Sequence, residues 1–400
     1  MNTLVAKSTG SEGLSSLQVG LFACSSGLSV ANVYYAQPLL DALAHSFSIS
    51  SAAVGGVIFA TQVGCALALL LLVPLGDVFN RRRLMRYQLA GLILALLLVS
   101  VATHVLMLLA AMLLIGMLGT AMTQGMIAYA AAAASPETRG RVVGAVSGGV
   151  VIGLLVARTA AGLVSDITGW RGVYVCSALV MLLLAAILWR RLPDLPQAAP
   201  VRWSQVMFSL WRLLRTHRVL QVRGVLALLM FASFNIFWSA LVLLLRAPPW
   251  QLTHGQIGAL GLVGAISALI AGRAGRWADK GLAERSSALA LVVLLMSWLP
   301  LWLGAGSLLL LMAGILLLDA AGQALHVSSQ SLIFASQQEA GGRLIAGYML
   351  FYSAGSGAGA LISTQAFARG GWDAVCLCGA AVSLLALLFW VMMRLIRGQS

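Results

Sequence analysis

Over 400 residues the chain carries 60 % hydrophobic and only 9 % charged side chains, against roughly 45–50 % and 25 % in an average soluble domain. No water-soluble fold of this length has enough polar surface to cover so much apolar side chain, so the composition points to a bilayer as the solvent for helix exteriors. The formal charge of +14 sits in short gaps between apolar runs, not on a solvated domain, which argues against nucleic acid as a partner and matches the bias of Lys and Arg toward the cytoplasmic side of membrane proteins.

Taken in chain order, residues 1–16 read as a short cytoplasmic tail whose one basic residue is Lys7. The first apolar run, from about Gln18 to Leu40, is long enough to span and reads as a retained helix, not a cleaved signal peptide. Apolar runs of about twenty residues then predict helices near 17–40, 51–75, 85–104, 106–134, 142–165 and 171–190. A second set follows near 219–245, 254–275, 286–304, 307–336, 344–368 and 373–396. This divides the chain into a bundle over 17–190, a polar cytoplasmic linker over 191–218, a second bundle over 219–396 and a tail over 397–400. The fold class is an all-α membrane protein of twelve spans.

With the N-terminus cytoplasmic, alternate gaps are cytoplasmic too, and they hold Arg81, Arg82, Arg83, Arg86, Arg139, Arg141, Arg273, Arg276, Lys280, Arg285 and Arg343. The opposite gaps hold few basic residues, so both termini are expected on the cytoplasmic side of the inner membrane. A self-comparison is more informative still: a shift of 202 residues brings Asp77 onto Asp279, Glu137-x-x-Gly140-Arg141 onto Glu339-x-x-Gly342-Arg343, and Gly169-Trp170 onto Gly371-Trp372. Several matches at one offset are the mark of a duplication. Repeated cytoplasmic loops require an even number of spans per copy, hence six plus six, with a central interface of the kind transporters use for substrate.

The loop after the second predicted helix reads Val73-Pro-Leu-Gly-Asp77-Val-Phe-Asn80-Arg81-Arg82-Arg83, and its second copy Gly275-Arg-Trp-Ala-Asp279-Lys280-Gly281. These stretches resemble the signature loop of the major facilitator superfamily, and the whole chain resembles its twelve-span, proton-coupled efflux branch. The resemblance implies two pseudo-symmetric six-helix bundles working by alternating access, with Asp77 and Arg81 gating the cytoplasmic side, Asp279 as their counterpart, and Arg141 and Arg343 in the repeated loops beside them. Three features depart from the family pattern: Val78 and Asn80 in the loop, no arginine in Leu113-Leu-Ile-Gly-Met of helix 4, and no Gly-Pro at the end of the glycine-rich stretch Gly149 to Gly162 of helix 5. The segment Asn32-Val-Tyr34-Tyr35-Ala-Gln37-Pro38 also resembles a group of uncharacterised bacterial members.

The residues expected to carry transport are the ionisable and polar ones at membrane depth. On helix 10, Asp319, Gln323, His326 and Gln330 recur at steps of four, three and four and form one narrow stripe. An acid at mid-bilayer costs at least ~2.5 kcal/mol on insertion scales, so Asp319 is expected to face a cavity and to couple protons, with His326 able to share the proton. Arg158 on helix 5 cannot discharge and needs a carbonyl, a carboxylate or an anionic substrate; a helix-end snorkel is the alternative. Asn32, Tyr35, Gln124, Asn235 and Gln323 complete the expected cavity lining, with Trp238, Tyr348 and Tyr352 behind them.

Cys24, Cys65, Cys176, Cys376 and Cys378 all lie in apolar runs, where a thiol behaves as a small hydrophobe. Cys376 and Cys378 point to nearly opposite faces of a helix, so no metal site is expected. No P-loop, HExxH pair or nucleophile elbow occurs; Gly355, Gly357 and Gly359 read as close helix packing. The expectation is therefore a monomeric, cofactor-free transporter, not an enzyme, moving a small molecule with protons, by efflux first and by symport into the cell as the alternative. A non-transporting sensor or scaffold is the competing class.

Overall fold

The computed structural model describes residues 14–135, 137–192, 203–264, 266–267, 273, 276–277, 280–336 and 341–398. Every regular element among them is helical. The spans are α1 (Ser16–Tyr34), α2 (Gly55–Leu67, running on through a π-helical turn at Ala68–Leu72), α3 (Arg81–Ser100) and α4 (Val105–Ala133). The next run, Arg139–Arg191, has 53 residues, which at 1.5 Å per residue is about 80 Å, far beyond a hydrocarbon core of about 30 Å. It is two spans, α5 (139–168) and α6 (170–191), broken at Gly169 with φ 73°.

The second half repeats the plan with α7 (Arg218–Arg246), α8 (beginning as His254–Ala259), α9 (Ala283–Met296, extended by Trp298–Leu303) and α10 (Leu308–Ser336). A final 58-residue run, Gly341–Gly398, contains α11 (341–369) and α12 (372–398), broken at Gly370 and Gly371. Nine helices long and apolar enough to cross a bilayer lie among the described residues; two of them are double, and α8 is the twelfth span. Gly169 and Gly371, the pair superimposed by the sequence repeat, both take positive φ, 73° and 60°, where a side chain would be strained. The tryptophan after each is buried and anchored through Nε1, Trp170 to Ser46 Oγ and Trp372 to Leu301 O.

The observed elements correct the sequence reading in three places. Helix α3 begins at Arg81, four residues before the expected start, because the Asn80 side chain caps it by accepting from Arg83 N at 3.1 Å; the arginine run is its first turn, and the helix ends at Ser100. The gaps expected around 166–170 and 369–372 are single-glycine or double-glycine breaks, not loops. The linker contains a helix at Trp203–Thr216, where the sequence analysis expected only a polar connection. Trp203, Phe208 and Trp211 are exposed while Leu210 is buried, and Arg212 and Arg215 follow in the last turns, the pattern of a helix lying along an interface.

Large aliphatic side chains stand outward along the bundle, among them Leu94, Leu163, Ile167, Leu179, Leu309 and Leu385, as a lipid-facing exterior requires. Inside each half, helices approach through glycines. A Cβ on Gly64 would lie 2.0 Å from Leu113 O, and one on Gly116 1.9 Å from Thr61 O, so α2 and α4 touch backbone to backbone. Arg223, near the start of α7, is buried and paired with Glu284 and Ser287 of α9.

The two halves meet along α5 with α8 and α2 with α11. At the end of the bundle opposite the α3 arginines, here the far end, the seam is closed by polar contacts. Asp41 takes Arg246 at 2.9 Å and His254 Nε2 at 2.8 Å, the backbone N–H groups of His254 and Gly255 donate to Asp166, and Thr364 Oγ1 donates to Ala52 O at 3.1 Å.

Candidate functional site

The helix α1 stops at Tyr34 and Pro38 follows at the start of a 3-10 turn, Gln37–Leu39; proline cannot continue the donor ladder and turns the chain. That turn delivers Gln37 to the seam. Its Oε1 accepts from Arg158 Nε of α5 at 2.8 Å, and its Nε2 donates to Asn235 Oδ1 of α7 at 3.0 Å. One amide thus links an arginine of the first half to an asparagine of the second.

Arg158 is only 6 % exposed. Its guanidinium lies 4.2 Å from the ring centre of Trp238, with Tyr34 and Phe234 rings at 5.6 and 5.7 Å. Aromatic faces attract a cation by about 2 kcal/mol when it is desolvated, so the box offsets part of the cost of burying the charge. Phe231, Asn235 and Trp238 recur at helical spacing on α7, which places ring, amide and indole on one side of that helix. A narrow cleft of about 10 Å³, room for roughly one water molecule, lies here, lined by Gln37, Arg158, Trp238, Leu241 and Ile257 among others.

Asp319 enters the same seam from α10 and is 7 % exposed. Its Oδ2 sits where a Cβ on Gly264 of α8 would be, 2.1 Å away, so only glycine accommodates it. Its Oδ1 and Trp238 Nε1 are both buried, and the indole N–H lies beside the carboxylate. Arg158 is near enough to act on Asp319 electrostatically, yet the two form no direct ion pair among the described residues. Gly258 and Gly261 of α8 pack on Arg158 itself, through its carbonyl and its Cβ.

The other expected site residues fall in separate places. His326 is two turns from Asp319 and engages Tyr348 Oη through Nδ1 at 2.9 Å and Gln330 through Nε2 at 3.2 Å. Asn32 accepts from Ser177 of α6 at 2.6 Å, a contact inside the first half and not part of the Arg158 group. Tyr35, Gln124 and Gln323 are half-buried. Tyr34, not Tyr35, reaches the seam, where its hydroxyl meets that of Tyr352 on α11. Gln37 and Tyr34 escaped the sequence reading, and the signal was local: both sit at the helix end set by Pro38, where α1 must bend toward the other half.

At the basic end, Arg81 donates to Gly76 O at 3.0 Å and Ala128 O at 3.3 Å, tying the α2–α3 turn to α4. Arg343 donates to Ser209 of the linker helix at 3.0 Å, and Arg141 is exposed. Asp77 lies on the 3-10 turn Pro74–Asp77; its side chain, and Asp279 altogether, lie outside the described residues. Among the described residues no group of three or more His, Cys, Asp or Glu is placed to hold a metal.

Residues 22–282 match the family model of the Major Facilitator Superfamily. The chain is 41 % identical over 384 residues to the uncharacterized transporter YgaY of Escherichia coli O157:H7, covering 94 % of this chain and 95 % of that one. It is 29 % identical over 364 residues to the probable transporter SCO4007 of Streptomyces coelicolor, covering 89 % and 83 %. Among solved structures it is similar to a bacterial homolog of the human lysosomal transporter Spinster, inward-facing and occupied (TM-score 0.77, 13 % identity, 94 % of this chain and 96 % of that one). It is similar also to the D-xylose–proton symporter (TM-score 0.74, 14 % identity, 93 % and 96 %). With its duplicated six-helix halves and a polar cleft at their seam, the chain belongs to the major facilitator superfamily and is a multi-pass membrane transporter.

Proposed function

We propose that the protein is a proton-coupled secondary transporter of a small molecule, working by alternating access across the inner membrane, with Asp319 as the group that carries the proton. The observation that supports this reading is the buried Oδ1 of Asp319 at the contact between the halves, beside Arg158. Desolvation disfavours the charged carboxylate, and a nearby cation favours it. A carboxylate held between those opposed influences changes its proton occupancy when the seam opens to water on one side or the other. The arginine-rich end is assigned to the cytoplasm by the positive-inside rule, which makes the far end, with Asp41, His254 and Asp166, the closed periplasmic side.

The family branch that the chain resembles implies export, with the proton moving inward as the solute leaves. A specific feature favours a second reading, symport into the cell: Arg158 and Asp319 together carry no net charge, and that neutrality is kept when one proton and an anionic solute are loaded together. Reconstitution in proteoliposomes with a trapped pH indicator tests the shared claim. Solute-dependent proton movement is expected in the wild type and is abolished in Asp319→Asn, whereas unchanged proton movement in that variant rejects Asp319 as the carrier. Export and import separate in cells, since overexpression gives resistance to an exported compound and deletion prevents growth on an imported one.

A further inference from the structure

Arg158 is a buried cation whose hydrogen-bonding capacity the protein leaves largely unused. Nε donates to Gln37, and among the described residues the terminal nitrogens make no hydrogen bond and no ion pair. A guanidinium presents its N–H groups as a planar fork that matches a carboxylate in two parallel bonds. Trp238, which lines the same cleft, carries a second buried donor, Nε1, with the Asp319 carboxylate as its neighbouring acceptor. The rest of the lining is the Gln37 amide, already engaged by Arg158 and Asn235, the Gly258 backbone, and hydrocarbon from Pro38, Leu241, Val242 and Ile257. Donors and aliphatic surface in one cleft complement an anionic head on an apolar body.

Charge fixes how such a ligand enters. The titratable and charged groups around Asp319 among the described residues are Arg158 from α5 and, two turns along α10, His326 with its partner Tyr348; α7 faces the carboxylate with Trp238 and α8 with Gly264. With Asp319 ionised, Arg158 and Asp319 sum to zero. An anion added alone leaves an uncompensated negative charge in a buried seam, which is costly. An anion added with a proton on Asp319 leaves the sum at zero, and frees Arg158 from the acid that acts on it among the described residues.

We infer that the substrate is a small carboxylate on an apolar body, gripped by the terminal nitrogens of Arg158 and by Trp238 Nε1, and loaded together with one proton on Asp319. This rests on the assignment of Asp319 as proton carrier and, of the two directions, it selects symport.

The test uses purified full-length protein in detergent and three probes that share one body and differ in the head: 3-phenylpropanoate, 3-phenylpropanamide and 3-phenylpropylamine. Equilibrium dialysis is expected to give about tenfold or greater preference for the carboxylate. That preference falls in Arg158→Lys, which keeps the charge but loses the fork, and in Trp238→Phe, which keeps the ring but loses the N–H. The melting temperature without ligand confirms that each variant is folded. In the wild type the carboxylate binds more weakly as pH rises, one proton per anion, and in Asp319→Asn it binds as in acid-equilibrated wild type at every pH. An amide or amine bound as tightly as the carboxylate, no binding of the carboxylate, or full affinity in both Arg158→Lys and Trp238→Phe overturns the substrate class, even where proton flux still depends on Asp319. A carboxylate preference that depends on Arg158 but not on pH keeps the substrate class, and overturns both the joint loading and Asp319 as the carrier.

Discussion

Asp166 Oδ1 accepts the backbone N–H of His254 at 3.0 Å, so a carboxylate from the first half caps the first turn of a helix in the second. Such a cap is worth about 1 kcal/mol, and here it stabilises one arrangement of the halves, because cap and helix belong to different bundles. Asp166→Ala is expected to move the equilibrium toward an open far end by roughly fivefold. Spin labels at Ser51 and Ala368, both exposed and on opposite sides of the α2–α11 seam, report the change by double electron–electron resonance in a background lacking the native cysteines. An unchanged distance distribution means the cap does not hold the seam.

Asp41 shares His254 with Asp166, since the ring Nδ1 lies 3.8 Å from Asp166 Oδ1 while Nε2 meets Asp41 at 2.8 Å. Residues with a common partner do not act independently. Asp41→Asn combined with Asp166→Ala is expected to differ from the sum of the single variants by about 0.5 kcal/mol or more, read from the same distance populations. Strict additivity would show that the two acids close the far end separately.

The position of Asp319 depends on a glycine. Gly264→Ala places a Cβ 2.1 Å from Asp319 Oδ2, so the carboxylate must leave its present place while the helices stay packed. Solute-dependent proton movement is expected to fall at least about tenfold, equivalent to about 1.4 kcal/mol, with the melting temperature little changed. A variant that transports normally places the working position of the carboxylate elsewhere.

Close packing in the first half makes a second glycine structural and not functional. Gly64→Ala puts a Cβ 2.0 Å from Leu113 O, and overpacking of this kind costs about 1–3 kcal/mol. Gly20→Ala serves as the control, having nothing within 4 Å of its Cβ. Thermal unfolding in detergent is expected to fall for the first and to stay level for the second; equal melting temperatures would show that α2 and α4 separate freely.

Arg223 and Glu284 join α7 to α9, with the arginine side chain only 3 % exposed and the glutamate 34 %. Arg223→Met alone is expected to destabilise the second half by about 2 kcal/mol, as Glu284 loses this ion pair and keeps weaker contacts such as Trp390 Nε1 at 3.4 Å. Adding Glu284→Gln recovers part of the loss. No recovery in the double variant would assign the effect to packing and not to charge.

Much of this fold is legible in the sequence because lipid enforces it. A composition with so few charges admits only spanning helices, and the matched Gly169 and Gly371 mark in sequence the two points where the longest helical runs break. The linker helix was illegible for a related reason: its arginines read as a polar stretch until the tryptophans between them are set on a helical face. At the seam, depth alone singled out Arg158 and Asp319, the two ions most costly to bury, and both lie there. Gln37 carries no charge and sits at a helix end, where periodicity has nothing to count. Its role depends on Asn235, 198 residues away in sequence, and spacing within one helix says nothing about a neighbour in the other half. Asn32 illustrates the converse, a polar residue on a promising helix that turns to Ser177 of its own bundle.

Glycines 255, 258, 261 and 264 return every third residue along α8 on the side that meets α5 and Asp319. A surface so bare of side chains has no teeth to disengage, so the halves can roll along it as on a bearing, without lifting interlocked groups apart at each step. Friction along that track then comes from the polar groups at its borders, the Asp166 cap at one edge and the Arg158–Asp319 pair deeper in. In the proposed transport cycle, motion is thereby tied to the charged groups at those two borders.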